Sequence, residues 1–240
     1  MPVGKSHKHQ TTNKNQNPVL TSRCRKEDMK NISKFSLAAA VVLSCIAASP
    51  PPSAPVRNAS FPLFELDGAP LIVDSHGAPL TVASDPSTEL FSNRFCDAHV
   101  PILAPDGHHV VLGEWLKASG TASAKCINKG THVVVQMSGL IPNGTYTIWY
   151  VSFDKAGNFQ GVGSLGPNDG SQNHFVATAS GDGELSATMP AGPLSLEGAA
   201  TGCELDHPFA LLGVYHLDGT THGPMPGPDC SFCEQFGFAF

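Results

Sequence analysis

From residue 108 to residue 240, short runs of β-branched, aromatic and other apolar residues alternate with clusters of Gly, Pro, Asn and Asp. Such runs are typical of β-strands, and the clusters between them are typical of turns. The chain contains 24 Gly and 20 Pro, and no helical periodicity of useful length follows residue 60. The sequence therefore predicts an all-β fold built from many short strands.

The turn signals set the limits of the predicted strands. Asn128-Lys129-Gly130 and Gly181-Asp182 predict hairpins, and the segment 154–173 is predicted to be a long loop. Strands of this number and spacing indicate an antiparallel β-sandwich, of immunoglobulin-like or jelly-roll type. The predicted strands are 108–117, 120–127, 131–138, 145–153, 174–179, 183–188, 209–217 and 232–240.

The region before residue 108 is less regular. Residues 61–107 contain short apolar pieces separated by Gly and Pro, and they are predicted to form an irregular arm with short edge strands. Residues 50–60 begin with three prolines and are predicted to be a stiff linker. The β-sandwich domain is predicted to span residues 108–240.

Residues 29–49 have the order of a secretory signal peptide. Two lysines lie in residues 29–34, residues 35–48 carry no charge, and Ala47-Ala48-Ser49 offers small residues for cleavage. A helix of this uncharged stretch spans about 21 Å, which is shorter than the ~30 Å hydrocarbon core of a bilayer. The segment therefore predicts a secreted, periplasmic or cell-surface protein.

Two features around the signal segment leave alternatives open. Residues 1–28 are polar and basic, and a stretch that buries so little apolar surface is predicted to be disordered. They are either an upstream extension of a chain that starts at Met29 or a long signal n-region. Val42-Leu43-Ser44-Cys45 resembles the lipobox of bacterial lipoproteins, and a lipid at Cys45 would be the one predicted membrane association.

The charge distribution limits the class of partner. Eight of the 14 basic residues and two of the 20 acidic residues lie within residues 1–49, which leaves 6 basic and 18 acidic residues and a formal charge of −12 beyond them. Nucleic acids and anionic lipid surfaces attract clustered Lys and Arg, so neither is an expected partner. The expected partner is a protein or another envelope component, and metal cations also suit this charge.

One hairpin carries a family resemblance. The stretch Gly139-Leu140-Ile141-Pro142-Asn143-Gly144, with the strand that follows it to Trp149, resembles a hairpin of secreted bacterial β-sandwich proteins, including chordin-type (CHRD) domains. The resemblance implies a β-sandwich in an exported protein and implies no activity. CHRD domains carry a His-x-His element after this strand, where the present chain has Trp149-Tyr150-Val151.

The cysteines beyond the signal segment are predicted to be mostly disulfide-bonded, because the compartment is oxidising. We expect two structural disulfides, one that joins Cys96 with Cys126 and one that joins Cys203 with Cys230 or Cys233, although spacing alone does not fix connectivity. Cys230 and Cys233 also form a C-x-x-C pair, but the βαβ context of a thioredoxin-like site does not accompany them.

The segment 203–233 is rich in potential metal ligands. It combines imidazole, thiolate and thioether groups, which copper and zinc prefer. Their order departs from the His…Cys…His…Met order of blue-copper sites, so an electron-transfer centre is not expected. The hypothesis that remains is a copper or zinc site that uses His216 and His222, with Cys230 and Cys233 as further ligands. Solvent-exposed histidines in loops explain the same residues without a metal.

No catalytic motif names a reaction, and no Gly-x-Ser-x-Gly elbow occurs. No catalytic residue and no cofactor are therefore expected. The main hypothesis is a secreted or lipid-anchored binding or structural module of the cell envelope without catalytic activity. The alternative is an envelope copper- or zinc-binding protein built on the segment 203–233.

Overall fold

The computed structural model describes residues 60–240, except residues 67, 97, 128–129, 155, 168 and 191–207 and the side chains of Cys126 and Pro190. The predicted upstream segment 1–28, the signal segment 29–49 with Cys45, and the linker up to residue 59 lie outside the described residues, as does Cys203. All described residues belong to one unit, Ala48–Phe240. Within them, no helix has both the length and the apolar character needed to cross a membrane.

The described chain consists mainly of strands joined by turns, with one short helix. The elements in chain order are β1 (Phe61–Pro62), β2 (Glu65–Leu66), β3 (Ala69–Pro70), β4 (Ile72–Val73), β5 (Phe91–Ser92), β6 (Val100–Pro101), α1 (Leu112–Trp115), β7 (Ser119–Ile127), β8 (Gly130–Ser138), β9 (Thr145–Phe153), β10 (Phe159–Ser164), β11 (His174–Val176), β12 (Gly183–Pro190), β13 (Phe209–His216) and β14 (Phe232–Ala239).

Two antiparallel sheets form the body of the fold. The six-stranded sheet has the order β1-β14-β13-β9-β10, and β11 also pairs with β9. The three-stranded sheet has the order β12-β8-β7. Two small sheets, β2-β3 and β4-β5-β6, come from residues 65–101. This arrangement confirms the predicted all-β, antiparallel sandwich.

Apolar side chains from both sheets share one core. On β9, Tyr146 and Ile148 are fully buried, and on β8 the core face contributes Val133 and Val135. Alternate residues of a strand point to opposite faces, which is why the apolar period of two in these segments yields a buried face. The same core also contains side chains from residues 61–107, namely Leu71, Ile72, Leu90 and Ile102.

The turn that leads into β9 is fixed by a buried tyrosine. The hydroxyl of Tyr146 accepts a hydrogen bond from the Ile141 amide (3.0 Å) and donates one to Gln235 Oε1 (2.8 Å). Burial raises the pKa of Tyr146 well above its usual value, so the phenol keeps the proton that it donates. A tyrosine hydroxyl bound to backbone a few residues upstream also stabilises corners in other β-sandwiches.

The predicted strand 108–117 is wrong, because residues 112–115 form the helix α1. The carboxylate of Glu114 accepts a hydrogen bond from the Val111 amide (3.0 Å), which caps the first turn. The helix also buries the indole of Trp115 completely. The capping hydrogen bond and the burial of Trp115 stabilise this helical turn, although the residues before it are β-branched.

The predicted loop 154–173 is wrong over residues 159–164, where β10 pairs with β9. This strand carries two glycines, which weaken a strand pattern. Gly163 leaves room for the phenol of Tyr150: a Cβ at this position would lie 2.9 Å from the Tyr150 hydroxyl.

The predicted hairpin of β11 and β12 is also wrong, because β11 pairs with β9 and β12 pairs with β8.

Candidate metal centre

The candidate site starts at the end of β13. On this strand Leu212, Val214 and His216 alternate with core residues and face the outer side of the six-stranded sheet. His216 is only 1% exposed despite this position. A polar ring at such depth needs defined partners, since an unsatisfied buried polar atom is costly.

One nitrogen of His216 has such a partner and the other does not. Nε2 lies 2.9 Å from Thr147 Oγ1, which also accepts a hydrogen bond from Trp149 Nε1 at 2.9 Å. Nδ1 is buried and has no hydrogen-bond partner within the described residues. Burial lowers the pKa of His216 to about 4, against the opposing effect of the Asp218 charge. The imidazole is therefore neutral at pH 7, which is the form that coordinates a metal.

The turn after β13 brings two more ligand groups to this ring. Asp218 Oδ2 lies 2.9 Å from His222 Nε2, and Asp218 Oδ1 accepts a hydrogen bond from the Thr220 amide at 3.0 Å. Ligand atoms of His216, Asp218 and His222 all lie within 4.8 Å of one another. His216 is buried, His222 is half-buried and Asp218 is exposed, so the cluster runs from the interior to the solvent.

Neighbouring elements hold this turn in place. Thr145 Oγ1 on β9 donates a hydrogen bond to Gly219 O (3.0 Å), and Asn173 Nδ2 donates one to Gly223 O (3.1 Å). The Leu217 amide donates to Ser231 O (2.8 Å). The segment that carries Asp218 and His222 is therefore tied to β9, to the residue before β11 and to the approach to β14.

Two of the four metal ligands suggested by the sequence lie in this cluster. His216 and His222 are brought together, whereas Cys230 and Cys233 are not. Cys230 forms a disulfide with Cys96, so its sulfur is not a thiolate ligand. Cys233 is buried on the core side, where its thiol donates to Leu71 O at 3.8 Å and burial raises its pKa.

The disulfide differs from the predicted connectivity. Cys96 pairs with Cys230, with Cα atoms 5.2 Å apart, and not with Cys126. Cys203 and the Cys126 side chain lie outside the described residues. The predicted bond of Cys203 with Cys230 is wrong because Cys230 pairs with Cys96, and Cys233, the other predicted partner of Cys203, is a free cysteine. The fold brings the approach to β6 and the approach to β14 together, which the spacing of the cysteines along the chain does not reveal.

Two residues of the site are not in the set of ligands predicted from the sequence. Asp218 lies four residues before His222, and this Asp-x-x-x-His spacing was an available signal. Thr147, which contacts the ring of His216, carries no such signal. Its place on β9 opposite Val214 becomes known only when the pairing of β9 with β13 is known.

Two imidazoles and one carboxylate can hold a divalent transition metal. In a tetrahedral zinc site with bonds of about 2.0–2.1 Å, neighbouring ligand atoms are about 3.4 Å apart. The ligand atoms of the three groups lie within 4.8 Å of one another, so they would have to move closer together to bind an ion. Three protein ligands would leave the fourth position for an exchangeable group.

No protein-family model matches the sequence, and no curated protein matches it either. The chemistry of the site is therefore the basis for a functional assignment.

Proposed function

We propose that this protein is an exported, non-catalytic binding module whose ligand is a zinc or copper ion held by His216, Asp218 and His222. The observation that carries this proposal is the buried Nδ1 of His216, which has no hydrogen-bond partner within the described residues. Leaving such an atom unsatisfied costs about 1–3 kcal/mol. A metal bond at Nδ1, completed by the two neighbouring ligands, would supply the missing interaction.

Thr147 supports this assignment through the tautomer of His216. When Nε2–H donates to Thr147 Oγ1, the lone pair of Nδ1 is left for a metal. Metal-bound histidines in general donate their second ring N–H to a neighbouring oxygen, which orients the ring. Thr147 is itself oriented by Trp149 Nε1. The ring of His216 is thus fixed by β9 before any ion arrives.

The donor set favours Zn(II) or Cu(II) over Cu(I). Both of these divalent ions bind imidazole nitrogen and carboxylate oxygen, whereas Cu(I) prefers sulfur ligands. The two sulfurs predicted as ligands lie elsewhere, Cys230 in a disulfide and Cys233 in the core. The acidic excess beyond residue 49 also attracts cations.

Metal content after equilibrium dialysis tests the proposal. The full chain is dialysed against Zn²⁺ or Cu²⁺ and analysed by mass spectrometry, and we expect one bound equivalent. His222→Ala removes one ligand and is expected to lower the affinity at least about 100-fold, more than the 10–100-fold typical of an outer-shell change. His109→Ala is the matched control, because His109 lies outside the cluster and pairs with Glu89 at 3.6 Å.

The control variant should bind like the unmodified protein. If the unmodified protein retains no metal, or if His222→Ala and His109→Ala bind equally well, the cluster is not a metal site.

A further inference from the structure

We propose that the outer side of the six-stranded sheet binds a neutral, mainly apolar small molecule in a groove beside the metal cluster. This outer groove has a volume of about 490 Å³, which lies within the range of small-molecule sites. Its floor is formed by outward-facing residues of β9, β13 and β14, among them Trp149, Val214 and Phe232. The proposal goes beyond metal binding and does not require it.

The groove is concave because other elements rise around its floor. Phe159 and Val162 of β10 form one wall, Phe95 lies on the opposite loop, and Pro226 comes from the turn after the metal cluster. The edges stay open to solvent: Phe159 is 63% exposed, Phe95 57% and Val162 46%. An apolar concavity with so much exposed aromatic surface at its edge is typical of ligand-binding grooves.

The charges in the groove favour a neutral occupant. Arg94 and Glu234 are the charged residues of its lining, and they pair through Arg94 Nε and Glu234 Oε1 at 3.0 Å with both side chains largely buried. A ligand carboxylate here would face Glu234, and a ligand ammonium would face Arg94. A ligand of either charge would lose its hydration in the groove. Its attraction to the oppositely charged residue would be offset by repulsion from the residue of like charge.

Arg94 also provides a hydrogen-bond donor for the ligand. Its Nε is bound to Glu234 and its guanidinium lies 3.9 Å from the centre of the Phe95 ring. Its terminal nitrogens have no hydrogen bond to any residue that the structure describes. A hydroxyl or carbonyl oxygen on an otherwise apolar molecule would accept from them, as polar groups do in mainly apolar sites. The ligand class is therefore a hydrophobic alcohol or ketone.

Binding of N-phenyl-1-naphthylamine, a neutral fluorescent probe, tests this inference on the metal-free full chain. We expect one site per chain, with energy transfer from Trp149 to the probe. Val162→Arg is expected to weaken probe binding at least tenfold, because it places a charge on the groove wall. Val176→Arg is the matched control, since Val176 is 60% exposed on β11, outside the groove lining, and should leave the affinity unchanged.

Competition against the bound probe tests the charge of the ligand. We expect 1-decanol to displace the probe at a concentration at least tenfold lower than decanoate does at pH 7. Equal or better displacement by decanoate would overturn the preference for a neutral ligand.

Two results would overturn the groove itself as a small-molecule site. One is the absence of probe binding, or equal binding by the two arginine variants. The other is self-association of the unmodified chain in sedimentation equilibrium that Val162→Arg abolishes, because the groove would then be a contact between two copies.

Discussion

Replacement of both Cys96 and Cys230 by serine is expected to lower the free energy of unfolding by about 3–5 kcal/mol. The two cysteines are 134 residues apart in sequence, and a cross-link over such a long loop restricts the unfolded chain strongly. The loss is measured by urea denaturation of the variant and of the unmodified protein, with the midpoint and slope fitted separately.

Cys233→Ala is the control for this measurement. It removes a buried sulfur without opening a cross-link, and the expected loss is about 1 kcal/mol, as for an ordinary substitution. A loss in the double serine variant no larger than that of Cys233→Ala would contradict a structural role for the disulfide.

Phe236→Ala is expected to cost about 3–5 kcal/mol of stability, the range for removal of a buried aromatic ring. Phe236 is 1% exposed, and its ring lies 6.3 Å from that of Tyr146 and 6.1 Å from that of Phe238. The ring occupies the space above Gly213, where even a Cβ would overlap with it. Gly213 has no side chain that could fill the cavity left by alanine.

Phe159→Ala provides the comparison for this core variant. Phe159 is 63% exposed, so its removal should change stability by no more than about 0.5 kcal/mol. Equal losses in thermal or urea unfolding for the two alanine variants would show that Phe236 is not part of the core described above.

The sequence predicts best those elements whose apolar period is uninterrupted. The limits of β9 agree with prediction, because aromatic and β-branched residues alternate through 145–153 without a glycine. The last strand shows the converse. In a regular strand Phe232 and Phe236 would share one face, but an irregularity opposite Gly213 and Val214 turns Phe232 toward the outer groove and Phe236 toward the core.

The candidate site could be predicted only in part, for a similar reason. His216 and His222 could be predicted as ligands because potential metal-binding residues are concentrated in one segment of the chain. The position of Thr147 depends on the pairing of β9 with β13, and the bond between Cys96 and Cys230 depends on contacts between residues far apart in sequence. Local pattern carries no information about either contact.

X-ray absorption spectroscopy on the zinc-loaded full chain tests the metal assignment most directly, because it reports the atoms bound to the ion. The proposed site predicts a first shell of nitrogen and oxygen only, with two imidazoles and Zn–N distances of about 2.0–2.1 Å. The imidazole signal should fall in His222→Ala and persist in His109→Ala. A sulfur shell at about 2.3 Å, or a spectrum that His222→Ala leaves unchanged, would contradict a metal centre formed by His216, Asp218 and His222.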